Sequence, residues 1–179
     1  MTGQINVNKI AARTGNTITI NSGDKISGDA GSIIAPGSII QVVNGPANAA
    51  RLTSTSTSYV DTSITATITP KFATSKILVR FSTVQSSAAS VYLYLRLVRN
   101  IGGGSFDVIN ALEDHTAIGN YNTGGWDMIG HEVLDSPNTT SACIYKVQSK
   151  ASSGTHYVGW STNSDRKNMM NITLMEIAQ

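Results

Sequence analysis

The chain has 179 residues, 13% of them charged, and a formal net charge of +2. This length allows a buried core without disulfides, while the sparse, dispersed Lys and Arg argue against a nucleic-acid-binding surface and against a polybasic membrane anchor. Gly, Ser and Thr are abundant and strong helix formers are sparse, so the composition favours an all-β fold.

The first predicted elements are short alternating apolar units at residues 5–7, 18–20 and 39–42. Dense turn signals, such as Gly15-Asn16 and Pro36-Gly37, separate them. Units this short cannot enclose a core of their own. We therefore predict that residues 1–50 form a β-rich stem or arm that packs against copies of itself or against a neighbouring protein. Ile5, Val7 and Ile10 are its candidate attachment residues.

The N-terminal residues have neither the basic region nor the apolar run of a signal peptide. No apolar stretch reaches the roughly 18 residues that a transmembrane helix requires. From these features we expect synthesis in the cytoplasm, no membrane insertion and no nucleic-acid partner.

A polar connector rich in Ser and Thr covers residues 44–58, which places a domain boundary near Ala50. Beyond it, alternating apolar runs occur at 64–68, 76–81, 91–98, 144–147, 156–160 and 171–177. Turn clusters separate these runs, giving roughly seven to nine short strands at about ten-residue spacing. We predict that residues 51–179 fold as an antiparallel jelly-roll sandwich, which we call the head.

The run at 91–98 has two faces of large side chains. Residues 91, 93, 95 and 97 form an apolar face, and the opposite face carries Tyr92, Tyr94, Arg96 and Val98. A strand with two such faces is commonly covered on both sides, so these four residues are candidates for a subunit interface. The alternative is that the tyrosines lie on a solvent-facing sheet.

Residues 106–136 have the weakest strand signal and hold a concentration of acidic side chains. Aromatic rings and carboxylates on a long loop are a common way to bind carbohydrate, with a ring against the sugar and carboxylates on its hydroxyls. The candidate ligand residues are Tyr121, Trp126, Asp127 and Glu132. The alternative is an ordinary polar loop with Trp126 in the core.

Metal binding and catalysis have little support in the sequence. His115, His131 and Glu132 are the nearest approach to a metal site, but adjacent residues of a strand point to opposite faces, so we predict no metal and no cofactor. Nucleophile-elbow, phosphate-binding and dinucleotide motifs are absent, and the lone Cys143 is predicted to be a buried hydrophobic residue. We therefore expect no enzymatic activity. A polysaccharide depolymerase is the least favoured alternative.

Eight short segments lie along the chain at 5–10, 15–24, 38–42, 64–70, 75–79, 145–150, 152–158 and 172–177. In this order they resemble segments of virion structural proteins of marine and cyanobacterial tailed phages, of the tail-fibre or capsid-fibre type. The resemblance implies a homotrimer with a jelly-roll head like that of tumour necrosis factor, located on the virion exterior.

Two roles follow from this resemblance. The first is a tail-fibre or receptor-binding trimer that presents host-recognition loops to a surface glycan and contacts other virion proteins through its N-terminal segment. The second is a capsid decoration or head-fibre protein with an architectural role and no receptor.

Overall fold

The computed structural model describes residues 22–23, 34–45, 50–87, 91–109, 126–159 and 170–179. The chain divides into two compact units, Met1–Ile33 and Ile34–Gln179. All the described strands belong to the second unit, and the described residues contain no helix. The predicted all-β class is therefore confirmed.

Ten strands follow one another in the second unit. They are β1 (Ile39–Asn44), β2 (Leu52–Ser54), β3 (Val60–Ile68), β4 (Lys76–Ser87), β5 (Leu93–Ile101), β6 (Phe106–Val108), β7 (Trp126–Asp135), β8 (Cys143–Ala151), β9 (His156–Val158) and β10 (Met170–Ile177).

The strands form two antiparallel sheets packed as a sandwich. The first sheet has the order β1–β10–β4–β7, and the short strands β9 and β2 extend it beside the end of β4. The second sheet has the order β3–β8–β5–β6. The chain thus crosses repeatedly between sheets and places its first strand beside its last, as in a jelly roll. The predicted jelly-roll sandwich is confirmed.

Strict alternation along the strands builds the core. In β8 every second residue from Cys143 to Ala151 is buried, whereas the residues between them are partly exposed. The largest of these buried side chains is that of Tyr145. Cys143 is also fully buried, as predicted, and burial raises the pKa of its thiol. Opposing aliphatic residues of β4 and β10, such as Val79 and Leu174, fill the other half of the core.

Strand β1 lies in the part of the sequence that we assigned to the stem, yet it pairs with β10 along its length. Val42 is opposite Met175 and Val43 is opposite Leu174, and Val43 packs against the core. The compact unit that holds the sandwich accordingly begins at Ile34, earlier than the predicted boundary near Ala50. The alternation at 39–42 has the same period in a stem strand and in a sheet strand, so the sequence pattern did not distinguish them.

The carboxylate of Glu176 fixes the turn after β3 to the first sheet. It is fully buried. Its Oε2 accepts a hydrogen bond from Nε2 of Gln41 at 2.6 Å, and its Oε1 accepts one from the backbone N–H of Lys71 at 2.8 Å. A buried carboxylate is tolerated when its oxygens are hydrogen-bonded in this way, so Glu176 is a structural residue.

Candidate functional site

The outer face of the second sheet carries two of the predicted interface residues, Tyr94 and Arg96, whose side chains contact other side chains of the same chain. The guanidinium of Arg96 lies 3.9 Å from the ring centroid of Tyr59, and its Nε donates a hydrogen bond to Oε1 of Gln148 at 2.7 Å. The ammonium of Lys150 lies 4.6 Å from the Tyr59 ring and 5.3 Å from the Tyr94 ring. We call these five residues, Tyr59, Tyr94, Arg96, Gln148 and Lys150, the cation–aromatic face.

The other predicted interface residues differ in exposure. Tyr92 lies just before β5 and is 44% exposed, whereas Val98 is only 1% exposed. Val98 stands opposite Val108 and Lys146 in the sheet, so it has almost no surface to offer another subunit. The assignment of Tyr92, Tyr94 and Arg96 to a subunit interface stays a prediction.

A polar cluster continues the same sheet face toward β3. Asp61 accepts hydrogen bonds from Nζ of Lys146 at 2.6 Å and from Nε2 of Gln148 at 2.7 Å. Burial alone would raise the pKa of the Asp61 carboxyl, but these hydrogen bonds and the positive charge of Lys146 outweigh it and lower the pKa. Lys146 also lies 4.4 Å from the ring centroid of Phe106. The cations of this face therefore already have aromatic or acidic neighbours.

The predicted carbohydrate residues are spread out. Trp126 and Asp127 begin β7, with their backbones opposite Ser86 and Gln85, whereas Glu132 is exposed further along the strand, opposite Arg80. Trp126 and Glu132 are six residue steps apart along an extended strand, a distance of about 20 Å. Tyr121 lies outside the described residues. The carbohydrate site as a whole stays a prediction.

The candidate attachment residues Ile5, Val7 and Ile10 lie outside the described residues, as does His115. Over the ranges that the structure describes, no group of three or more His, Cys, Asp or Glu side chains is placed to hold a metal ion. Within the same ranges, no helix is long and apolar enough to cross a membrane.

The outer face of the first sheet was not predicted as a site, although it carries a group of exposed aliphatic side chains. The strand register aligns Val42, Met175, Leu78 and Leu134 in one row across β1, β10, β4 and β7. Val42 is 52% exposed and Leu134 is 51% exposed. The next row adds Ile39, 57% exposed, opposite Ile177. We call these six side chains the apolar face.

A row of polar residues borders the apolar face. Asn44, Thr173, Arg80 and Glu132 follow one another across the same four strands. Arg80 and Glu132 are both exposed, and no ion pair joins them in the described part of the chain. Two shallow depressions, of about 450 and 210 Å³, lie on either side of Arg80, and Gly130 contributes to the larger one.

Two polar clusters lie between the sheets, the first largely buried and the second fully buried. Arg99 of β5 donates hydrogen bonds at 2.8 and 2.7 Å to the two carboxylate oxygens of Asp135 in β7, and the hydroxyl of Tyr145 in β8 donates to Oδ2 of Asp135 at 2.7 Å. Burial, with the neighbouring Asp135, raises the pKa of the Tyr145 hydroxyl. Because Asp135 belongs to the first sheet and its partners to the second, this cluster ties the two sheets together.

The second, fully buried cluster joins Ser149 and His156. The Ser149 hydroxyl lies 3.1 Å from Nε2 of His156, and both residues are fully buried. Burial lowers the pKa of the His156 imidazole and so favours its neutral form. Ser149 Oγ is closed off from solvent, so this pair is not arranged as an accessible nucleophile and base.

No protein-family model and no curated protein matches this chain. Similar solved structures include three of infectious bursal disease virus. The Gx strain structure is 10% identical with a TM-score of 0.42, covering 90% of this chain and 42% of that chain. The Gt strain structure is 12% identical with a TM-score of 0.44, and the match covers 91% of this chain and 42% of that chain. The crystal structure of the VP2 subviral particle is 12% identical with a TM-score of 0.40, and the match covers 77% of this chain and 41% of that chain. The chain therefore spans about two fifths of the length of those chains.

Proposed function

We propose that this chain is a non-enzymatic structural protein of a tailed bacteriophage, a homotrimer on the virion exterior that acts as a tail-fibre or receptor-binding protein. One observation carries the proposal. The sequence resembles phage fibre proteins with a jelly-roll head, and the chain does adopt the jelly-roll order β1–β10–β4–β7 over β3–β8–β5–β6. A fold hosts many functions, so the resemblance of the short segments supplies the functional part of the argument.

The layout of the strands is compatible with this role. Loops that leave a rigid sandwich are common sites of recognition. In the proposed protein, Tyr121 and the start of β7 at Trp126 contact a host glycan, and the N-terminal segment with Ile5, Val7 and Ile10 contacts other virion proteins.

Two measurements test the proposal. Excess purified protein is added to host cells before phage adsorption, and a receptor-binding trimer reduces the adsorption rate because it occupies the same receptors. Labelled antibody against the protein is then located on intact virions by electron microscopy, with label expected on the tail. Absence of label from the virion would refute a structural role. Label on the capsid without competition would support the decoration role instead.

A further inference from the structure

The outer face of the second sheet carries more positive than negative charge. Its outward-facing cations are Arg96 of β5 and Lys146 and Lys150 of β8, whereas Asp61 of β3 supplies one carboxylate. Asp107 of β6 does not offset these cations, because the strand register places it on the side of the sheet that faces the first sheet. In the described part of the chain this face therefore has a net positive charge.

The aromatic rings of this face hold the cations without cancelling their charge. Arg96 and Lys150 lie 3.9 and 4.6 Å from the ring centroid of Tyr59, and Lys146 lies 4.4 Å from that of Phe106. A ring attracts a cation through its quadrupole but has no net charge, so each cation keeps its attraction for an anion. The rings also restrict the cationic side chains, which lowers the entropy cost of binding a ligand.

The guanidinium of Arg96 has hydrogen-bond donors left for a ligand. Its Nε donates to Oε1 of Gln148 at 2.7 Å, while its two terminal nitrogens have no acceptor among the described residues. These nitrogens carry N–H groups in one plane, a geometry that matches the oxygens of a carboxylate or a related oxyanion. Because Arg96 is partly exposed, such an anion can reach it from solvent.

The spacing of the cations favours a chain of anionic groups over a single small ion. Lys146 and Lys150 are four residue steps apart on β8, about 13 Å, and Arg96 stands on the neighbouring strand opposite Gln148, midway between them. One carboxylate or sulfate is too small to reach both ends of this row. A polymer with repeated anionic groups can contact the three cations together.

The amide and carboxylate groups among the cations favour a polysaccharide over other polyanions. Gln148 separates Lys146 from Lys150 along β8, and its amide also donates to Asp61. Amide and carboxylate groups can hydrogen-bond sugar hydroxyls, which the backbone of DNA does not offer. Single-stranded nucleic acids also bind by stacking bases on aromatic rings, and here cations already lie against the Tyr59 ring.

We propose that the outer face of the β3–β8–β5–β6 sheet binds an acidic polysaccharide, a hydroxyl-rich chain with carboxylate or sulfate groups, with the three cations on its anionic groups and Gln148 on its hydroxyls. The inference rests on the proposed receptor-binding role for the source of this glycan, which is the host surface. It assigns the ligand to a regular sheet, separate from Trp126, Asp127 and Glu132 on the first sheet.

The test measures binding of the purified full-length protein to immobilised dextran sulfate, hyaluronate and uncharged dextran by biolayer interferometry. We expect binding to at least one of the two acidic polysaccharides and none to dextran. The affinity is expected to fall about tenfold or more when NaCl is raised from about 0.05 to about 0.5 M, because salt screens exposed charges. Arg96→Gln is expected to weaken binding by about tenfold or more, the scale of a hydrogen bond to a charged group.

Two further variants separate the site from general charge and from misfolding. Arg80→Gln is the matched control, because it removes the same charge from an exposed position on the first sheet, and its affinity is expected to stay within about twofold of the wild type. Asp61→Asn removes a carboxylate from the proposed site and is expected to strengthen binding about two- to fivefold, the scale of one exposed ion pair. A gain of affinity cannot come from loss of the fold, so Asp61→Asn keeps the test decisive if Arg96→Gln does not fold.

Several outcomes overturn the proposal. Failure to bind either acidic polysaccharide does so, as does equal binding to dextran. Equal losses in Arg80→Gln and Arg96→Gln would assign the binding to the charge of the whole protein, and tighter binding to single-stranded DNA would assign the face to nucleic acid. A loss of mass in Arg96→Gln, measured by light scattering, would make the face a subunit contact instead. These measurements use defined polysaccharides and no virion, so the binding face and the virion role can fail separately.

Discussion

The exposed side chains on the two outer faces of the sandwich have different kinds of neighbours. On the second sheet, Arg96 and Lys150 lie against the Tyr59 ring, and Lys146 is paired with Asp61. On the first sheet, Val42 and Leu134 have only aliphatic neighbours in their row. Polar and aromatic groups can form cation–ring contacts, ion pairs and hydrogen bonds with each other within one chain. Exposed aliphatic groups gain stability only when another surface removes them from water. A large side chain on an outer face is therefore a weak indication of an interface unless its local partners are known.

The largest loss of stability is expected when the polar contact between the two sheets is removed, because both outer faces depend on the packed sandwich. Asp135→Ala leaves Arg99 and the Tyr145 hydroxyl without their shared partner inside the sandwich. Breaking a buried pair from one side typically costs about 3 to 5 kcal/mol. Because the side chains of Arg99 and Asp135 keep 16% and 11% of their surface exposed, we expect the free energy of unfolding to fall by about 3 kcal/mol, the lower end of that range. Urea unfolding monitored by tryptophan fluorescence measures it. Asp61→Asn, at an exposed ion pair, is the control, and equal losses in the two variants would refute the buried role of Asp135.

A smaller effect is expected from breaking the cation–aromatic face. Tyr59→Ala removes the ring beneath Arg96 and Lys150, and we expect a loss of about 1 to 2 kcal/mol in the free energy of unfolding from the two cation–ring contacts. The same variant is expected to keep the mass of the wild-type assembly. A change of mass would show that the cation–aromatic face takes part in subunit contact. Tyr59→Phe keeps the ring and removes only the hydroxyl, so its loss of unfolding free energy measures the contribution of the hydroxyl alone.

Acid pH weakens the core that both faces share. Since burial lowers the pKa of His156 below its ordinary value of 6.5, the neutral form stabilises the fold above that pH, and this stability is lost as the pH falls below it. The loss is at most about 1.4 kcal/mol for each pH unit, the limit for one proton. Thermal unfolding between about pH 7.5 and about pH 5.5 tests this. A His156→Gln variant should lose most of the pH dependence, and an unchanged slope in that variant would assign the effect to another group.

The smallest effect is expected at the polar edge of the cation–aromatic face. Asp61→Asn removes the ion pair with Lys146, whose carboxylate partner is half exposed. Exposed pairs contribute at most about 1 kcal/mol, and salt screens them. We expect a small loss of unfolding free energy at low salt that disappears at high salt. A loss that is independent of salt would mean that the hydrogen bond from Gln148 matters more than the charges.

The sandwich was largely predictable because its strands follow the simple period of two. The runs at 76–81 and 171–177 lie within observed strands, and the run at 91–98 does so from Leu93 onward. The burial of Cys143 follows from its place in the alternation of β8. What the sequence pattern does not specify is which strands become neighbours. The residues at 39–42 alternate equally well in a stem or in a sheet, and only their pairing with β10 places them in the sandwich.

One part of the apolar face, at Leu78, has a signal in the sequence. Leu78 stands between Ile77 and Val79, so this part of β4 is apolar on both faces, the same signal that we used for residues 91–98. The interface prediction for 91–98 was based on its large aromatic side chains. In the structure, cations lie beside the rings of Tyr59 and Tyr94, so aromatic side chains on this sheet have partners within the chain. The row that joins Leu78 to Val42, Met175 and Leu134 depends on register between distant strands, which period alone does not give.

The central position of β10 has a consequence for the order of events during translation. It comes after every other described strand, yet it lies between β1 and β4. While the ribosome is still making the preceding residues, β1 has no neighbour in the sheet and one side of β4 is open along residues 76–83. Unpaired strand edges invite pairing with other chains. Until β10 has been made, these edges of β1 and β4 can pair with strands of other nascent chains, so the position of β10 makes the incomplete chain prone to aggregation.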